Sequence, residues 1–266
     1  MTNTIDQLQT KGVAMMPYSP ELRELVERAA ASWQVFCELP LEEKERYGAM
    51  GPMVGYELKD NKGPFGDRKE NFDITEGISI DTESTPPFIS DAITISKAMS
   101  SLAIEFAQQT EARYGVQELA HRTEQSKDQI FTRFIHYFGD RAPGEEIATP
   151  HCDQSGFTFH LFETAPGCER LDYATREWID MPVEPGKMAA FPAMQLQLIS
   201  NGELRALSHR VVATEQSHQV GRFAIVCFVR LAHTPEYNKT KYGRLQEFVP
   251  GFNYDMTNDE FSQLFI

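Results

Sequence analysis

The stretch "TPHCDQSGFTFHLF", residues 149–162, decides how the chain is read. It sets His151 and Asp153 two positions apart, just ahead of an alternating apolar run. Such alternation marks a strand with a buried face, so the pair stands at a strand mouth. An imidazole and a carboxylate there are two thirds of a metal site. Alone the pair is a weak signal, because a loop histidine near an acid is common.

A third ligand is available in "NGELRALSHRVVAT", where His209 opens a second apolar strand far downstream. Two histidines and one carboxylate can hold Fe(II) on one face and leave positions open for a cosubstrate and oxygen. The spacing permits this convergence without requiring it.

From about residue 130 the hydrophobic period moves towards two, in "FTRFIHYF", "FTFHLF", "KMAAFP", "LQLIS", "HRVVAT" and "RFAIVCFVR". Turn signals at "APGEE", "EPGK" and "SNGE" separate the runs. Short strands spaced this way predict an antiparallel sandwich or barrel. In "RFAIVCFVR" the alternation puts Arg222, Ala224, Val226 and Phe228 on one inward face.

Upstream the pattern is helical. Residues 19–37 carry Ser19 as a cap, Pro20 in the first turn and an apolar stripe through Leu22, Val26, Ala29, Trp33 and Phe36. "LPLEEKERYG" follows as a short charged helix closed by Gly48, and residues 51–90 read as loops with short strands. A long helix is expected over 91–114, capped by Asp91 and ended by Gly115, and a short one near 257–265. The expected organisation is one domain, with a mainly helical N-terminal part at 1–129, a β core at 130–232 and a tail with a helix at 233–266.

Composition narrows the function classes. The 266 residues carry 25 Lys and Arg against 39 Asp and Glu, a net charge of −14. That disfavours nucleic acid or an anionic membrane as the partner. The four cysteines are widely spaced and form no CxxC pair, which argues against structural zinc and a disulfide framework. No apolar run reaches signal or spanning length. A cytoplasmic protein is the expectation, with a monomer favoured.

"HCDQSGFTFHLF" resembles the HxD segment of the isopenicillin N synthase-like family of Fe(II)/2-oxoglutarate-dependent dioxygenases. "REWIDMPVEPGKMAAFPAMQLQLISNGELRALSHRVVA" is similar to that family's run from its tryptophan strand and P-G turn to its distal H-R-V. "ELPLEEKERYG" and "GDRKENFDI" resemble its N-terminal half. The ordered series covers most of the chain and is far more specific than any one piece.

The resemblance implies a double-stranded β-helix, or jelly-roll, core with a helical N-terminal layer. It implies that His151, Asp153 and His209 ligate iron, that Arg222 binds the far carboxylate of 2-oxoglutarate, and that Tyr137 approaches that cosubstrate. It implies O2 as the other cosubstrate and a small-molecule substrate that is hydroxylated or desaturated, with succinate and CO2 released. The chain departs from the pattern in two places: Ala224 stands where the family has a serine, and Ile135, His136 and Phe138 replace parts of an N-Y-Y-P-like segment. Two alternatives remain open: an iron oxidase of this fold that does not use 2-oxoglutarate, and a non-catalytic jelly-roll binding module. Phe65, Arg68, Phe72 and Phe252 are further candidates for the pocket lining, and His160 is read as a core or rim histidine.

Overall fold

Ser19 begins the helical layer. Its hydroxyl accepts from the Leu22 N–H at 3.2 Å, a cap worth about 1 kcal/mol. The computed structural model describes residues 4–48, 54–60, 68–77, 86–234, 251 and 264. Its elements are α1 (Gln7–Lys11), β1 (Ala14–Pro17), α2 (Pro20–Cys37), α3 (Leu41–Glu45), β2 (Gly55–Asp60), β3 (Arg68–Thr75), α4 (Pro87–Tyr114), α5 (Leu119–Gln125), β4 (Phe131–Tyr137), β5 (Glu146–His151), β6 (Phe157–Glu163), β7 (Cys168–Leu171), β8 (Trp178–Asp180), β9 (Lys187–Pro192), α6 (Met194–Ile199), β10 (His209–Val212) and β11 (Arg222–Val229).

Two antiparallel sheets form the core. The larger runs β1-β9-β6-β11-β4-β3-β2 and the smaller β5-β10-β7-β8. Along β4 and β11 the side chains alternate between two apolar layers, as the pleat dictates. Phe134, Ile225, Cys227 and Val229 join the core under α2 and α4. Ile135, Tyr137 and Ala224 pack with Ile147, Ala148 and Val211 of the smaller sheet. The helix-side layer centres on Trp33, whose ring lies 5.4 Å from Phe36 and 5.3 Å from Phe88. This jelly roll leaves its mouth between the two sheets.

The structure departs from the sequence expectations in several places. β1 was not expected, and β2 and β3, which fall where short strands were expected, join the larger sheet rather than standing apart from the β core. The long helix starts at Pro87 rather than Asp91, because proline suits a first turn. Asp91 lies a full turn inside it and takes a forked pair from Arg28 at 2.7 and 2.8 Å. Its Arg28 end is open to solvent, so apolar burial, rather than this pair, docks α2 on α4. Gly115 does end the helix, at φ 67°. Gly48 closes no helix: it forms a bridge to Tyr56.

"LQLIS", expected as a strand, lies within α6 and the residue after it. Gln197 N–H donates to Ala193 at 3.1 Å, and the amides of Met194 and Gln195 donate to the carbonyls of Asp153 and Ser155. The helix start thus braces the HxD loop, a tertiary demand the local pattern does not contain. The expected helix near 257–265, Phe65 and Phe252 lie outside the described residues. Phe72 is fully buried against Trp33, Phe36 and Phe88 rather than at a pocket. Arg68 pairs with Asp140 and lies over Phe138.

Candidate metal centre and cosubstrate pocket

His151 is the last residue of β5 and His209 the first of β10, and they sit opposite each other in the antiparallel ladder. Their ring centroids are 4.4 Å apart. Each ring is fixed in the same way. His151 Nδ1 lies 2.7 Å from the Thr149 carbonyl, and His209 Nδ1 3.1 Å from the Leu207 carbonyl. A carbonyl only accepts, so Nδ1 carries the proton in both rings and the neutral form keeps its lone pair on Nε2.

Asp153 follows on the loop held by α6. Its Oδ2 accepts from the Thr158 hydroxyl at 2.6 Å. Its Oδ1 lies 3.8 Å from His151 Nε2 and 4.0 Å from His209 Nε2. All three residues offer a ligand atom within 4.8 Å of the others. Burial lowers the pKa of His209, with Asp153 opposing and His151 reinforcing the shift. The buried ring is therefore held neutral, as a ligand must be. Two Nε2 lone pairs and one carboxylate oxygen fit a divalent transition metal. A second cluster, Cys37, Glu70 and His136, also offers three ligand types. There the Glu70 carboxylate is already bonded to Lys44 at 2.6 Å, Tyr56 at 2.7 Å and His136 at 2.8 Å. The Lys44 ammonium makes that cluster a poor cation site.

His151, Asp153, His209, Arg222 and Tyr137 all line one cavity of about 350 Å³. Arg222 and Tyr137 are opposite partners on β11 and β4. Gly221 allows this close approach, at φ +81°, since a Cβ there would lie 2.7 Å from the Tyr137 carbonyl. The Tyr137 ring has Arg222 Cζ 5.8 Å away and Lys69 Nζ 5.6 Å away. Arg222 is 1% exposed. Its Nε donates to the Ala165 carbonyl at 3.0 Å and Nη2 donates to Glu163 at 2.5 Å. Nη1 makes no hydrogen bond among the described residues and remains for a carboxylate, so the residues also fit 2-oxoglutarate through a reduced grip.

The 2OG-Fe(II) oxygenase superfamily profile matches residues 128–231. The chain carries a 2OG-Fe(II) oxygenase domain. That match spans all five of these residues. Over 220 residues the chain is 25% identical to the leucoanthocyanidin dioxygenase of Perilla frutescens, covering 77% of this chain and 60% of that protein. Gibberellin 3-beta-dioxygenase 2-3 of Triticum aestivum is 26% identical over 110 residues, 40% of this chain and 30% of that protein. The chain thus spans no more than about 60% of the length of these curated relatives. Among solved structures, a full-length Neurospora crassa protein in complex with alpha-KG superposes with a TM-score of 0.74 at 19% identity, covering 86% of this chain and 78% of that one. The 2-oxoglutarate complex of a dioxygenase for auxin oxidation from Arabidopsis thaliana gives 0.72 at 17% identity, covering 87% and 88%. At such identities the likeness establishes the fold.

Sequence reasoning missed three residues of the oxygenase domain's pocket region. Lys69 lines the cavity from β3, a stretch read as loop and short strand. Thr158 braces Asp153, and its alternation with His160 in "FTFHLF" was the available signal. Glu163 was hidden by an irregularity. Val226 pairs with His160 and Ile225 with Phe162, so Leu161 is an extra residue in β6. Such a bulge reverses the facing of the residues beyond it. Glu163, outward by simple alternation, lies opposite Ala224 and bonds Arg222.

Proposed function

We propose that this protein is an Fe(II)- and 2-oxoglutarate-dependent oxygenase that hydroxylates or desaturates a small molecule and releases succinate and CO2. The observation that carries this reading is the meeting of His151, Asp153 and His209 in the cavity that Arg222 also lines. The two imidazoles would hold iron through Nε2, and Asp153 through its carboxylate. Bound there with 2-oxoglutarate, Fe(II) supplies the activation of O2 that oxidises a C–H bond.

The chain's own residues supply orientation and exclusion of water. The Nδ1–H bonds to Thr149 and Leu207 fix both tautomers. Thr158 sets the carboxylate plane. Arg222 presents a charged N–H to the far carboxylate of 2-oxoglutarate, beside Tyr137. Phe191, Val211 and Ala224 give the cavity apolar wall, which strengthens each polar contact inside it. The cavity volume falls in the range of small-molecule sites, and a net charge of −14 disfavours nucleic acid. Cys37, Cys152, Cys168 and Cys227 are all unpaired, in keeping with a cytoplasmic protein, and a monomer is favoured. No helix among the described residues is long and apolar enough to cross a membrane.

One observation favours a second reading, an iron-dependent oxidase of this fold that does not consume 2-oxoglutarate. Arg222 is already partnered by Glu163, and Ala224 supplies no hydroxyl. Aerobic incubation of iron-loaded protein with 2-oxoglutarate and a panel of small molecules separates the two. The first reading expects succinate in step with product, lost in His151→Ala. Product without succinate contradicts it and supports the second.

A further inference from the structure

Glu163 changes what the Arg222 end of the cavity can recognise. Its Oε1 accepts from the Val183 N–H at 2.9 Å and its Oε2 from Arg222 Nη2 at 2.5 Å. The carboxylate is thus held in place by backbone as well as by charge. It stands opposite Ala224 because of the extra residue at Leu161. His160, which lines the cavity with Arg222, has its Nε2 3.6 Å from Glu163 Oε2 and no hydrogen-bond partner for that atom among the described residues. Burial disfavours the charged form of His160 and also that of the Cys168 thiol, another lining group. The local charge is therefore one guanidinium against one carboxylate. Elsewhere in the lining, Arg133 is taken up by Asp73 at 2.6 and 2.7 Å, and Lys69 Nζ lies 5.6 Å from the Tyr137 ring.

We propose that Glu163 is a specificity-determining residue. Its carboxylate fills the part of the Arg222 fork that a far carboxylate would grip, so the pocket takes a 2-oxo acid with a neutral polar end about as well as a dicarboxylate. The inference rests on Arg222 facing the cosubstrate. A lone guanidinium favours a second carboxylate through two parallel charged bonds. Here the incoming carboxylate gains Nη1 and meets the Glu163 charge at close range, where repulsion in a buried site is large. A neutral carbonyl end gains Nη1 without that repulsion.

The test is calorimetric titration of Mn(II)-loaded protein with 2-oxoglutarate and with its 5-methyl ester, for wild type and Glu163→Gln. Wild type is expected to bind the two within about tenfold, and Glu163→Gln to shift the preference towards 2-oxoglutarate by at least about tenfold. A preference unmoved by the substitution, or moved towards the ester, overturns the inference and leaves the cosubstrate reading intact. If neither ligand binds either protein, both fall. Should Glu163→Gln not fold, the wild-type ratio decides: near parity supports the inference, and a preference of about a hundredfold for the dicarboxylate overturns it.

Discussion

His151 and His209 face each other across β5 and β10, with ring centroids 4.4 Å apart and each Nδ1 bonded to a carbonyl two residues back. The same short-range device orients both rings, so the ladder register alone brings two Nε2 lone pairs to Asp153. Replacing His209 or Asp153 by Ala is expected to lower Mn(II) affinity by at least about a hundredfold, beyond the 10–100-fold usual for an outer-shell partner. Turnover should vanish while the far-ultraviolet spectrum is kept. Metal titration with circular dichroism checks both.

Thr158 donates its hydroxyl to Asp153 Oδ2 at 2.6 Å. Thr158→Val keeps the shape and removes the bond. Metal affinity is expected to fall about ten- to a hundredfold with the unfolding midpoint little changed. Competition against a chelator measures it, and an unchanged affinity would show that Asp153 needs no brace.

Glu70 belongs to stability rather than to the cavity. Burial alone would raise its pKa, but bonds from His136, Lys44 and Tyr56 outweigh that and bring it to about 2. Lys44 and Glu70 are both buried. Glu70→Ala would strand the ammonium, at a cost of about 3–5 kcal/mol. Denaturant unfolding should show that loss, and metal affinity should not move.

Burial lowers His160 to about 4, partly opposed by Glu163 and reinforced by Arg222. An unfolded histidine titrates near 6.5. Between these values the unfolded chain holds the proton and the folded chain does not. This contribution to stability is therefore complete above 6.5 and lost as pH falls towards 4, by about 3 kcal/mol. Urea unfolding at pH 7 and pH 4.5 should show a shallower acid loss in His160→Leu than in wild type. Equal losses would mean that His160 is not the group responsible.

The parts of the molecule governed by short-range rules were legible in the sequence. Ser19, the α2 stripe, the left-handed Gly115 and the inward face of β11 follow from capping and periodicity. The pairing of His151 with Asp153 was visible as a motif with His209 as a candidate third ligand, and the family resemblance suggested the roles proposed for Arg222 and Tyr137. What escaped was set by tertiary contacts. The amides of α6 bond the HxD loop, so "LQLIS" coils instead of extending. The hydrogen-bond partners of β3 lie on β2 and β4, which no local pattern states. The extra residue at Leu161 turns Glu163 inward against the apparent alternation.

The central claim is that His151, Asp153 and His209 share one divalent ion. Crystals of the full chain grown with Mn(II), with anomalous differences recorded at the manganese edge, test it most directly. The expected result is a single strong peak within bonding distance of both Nε2 atoms and an Asp153 oxygen. A map with no peak there, or with the ion at Cys37, Glu70 and His136 instead, would contradict the account.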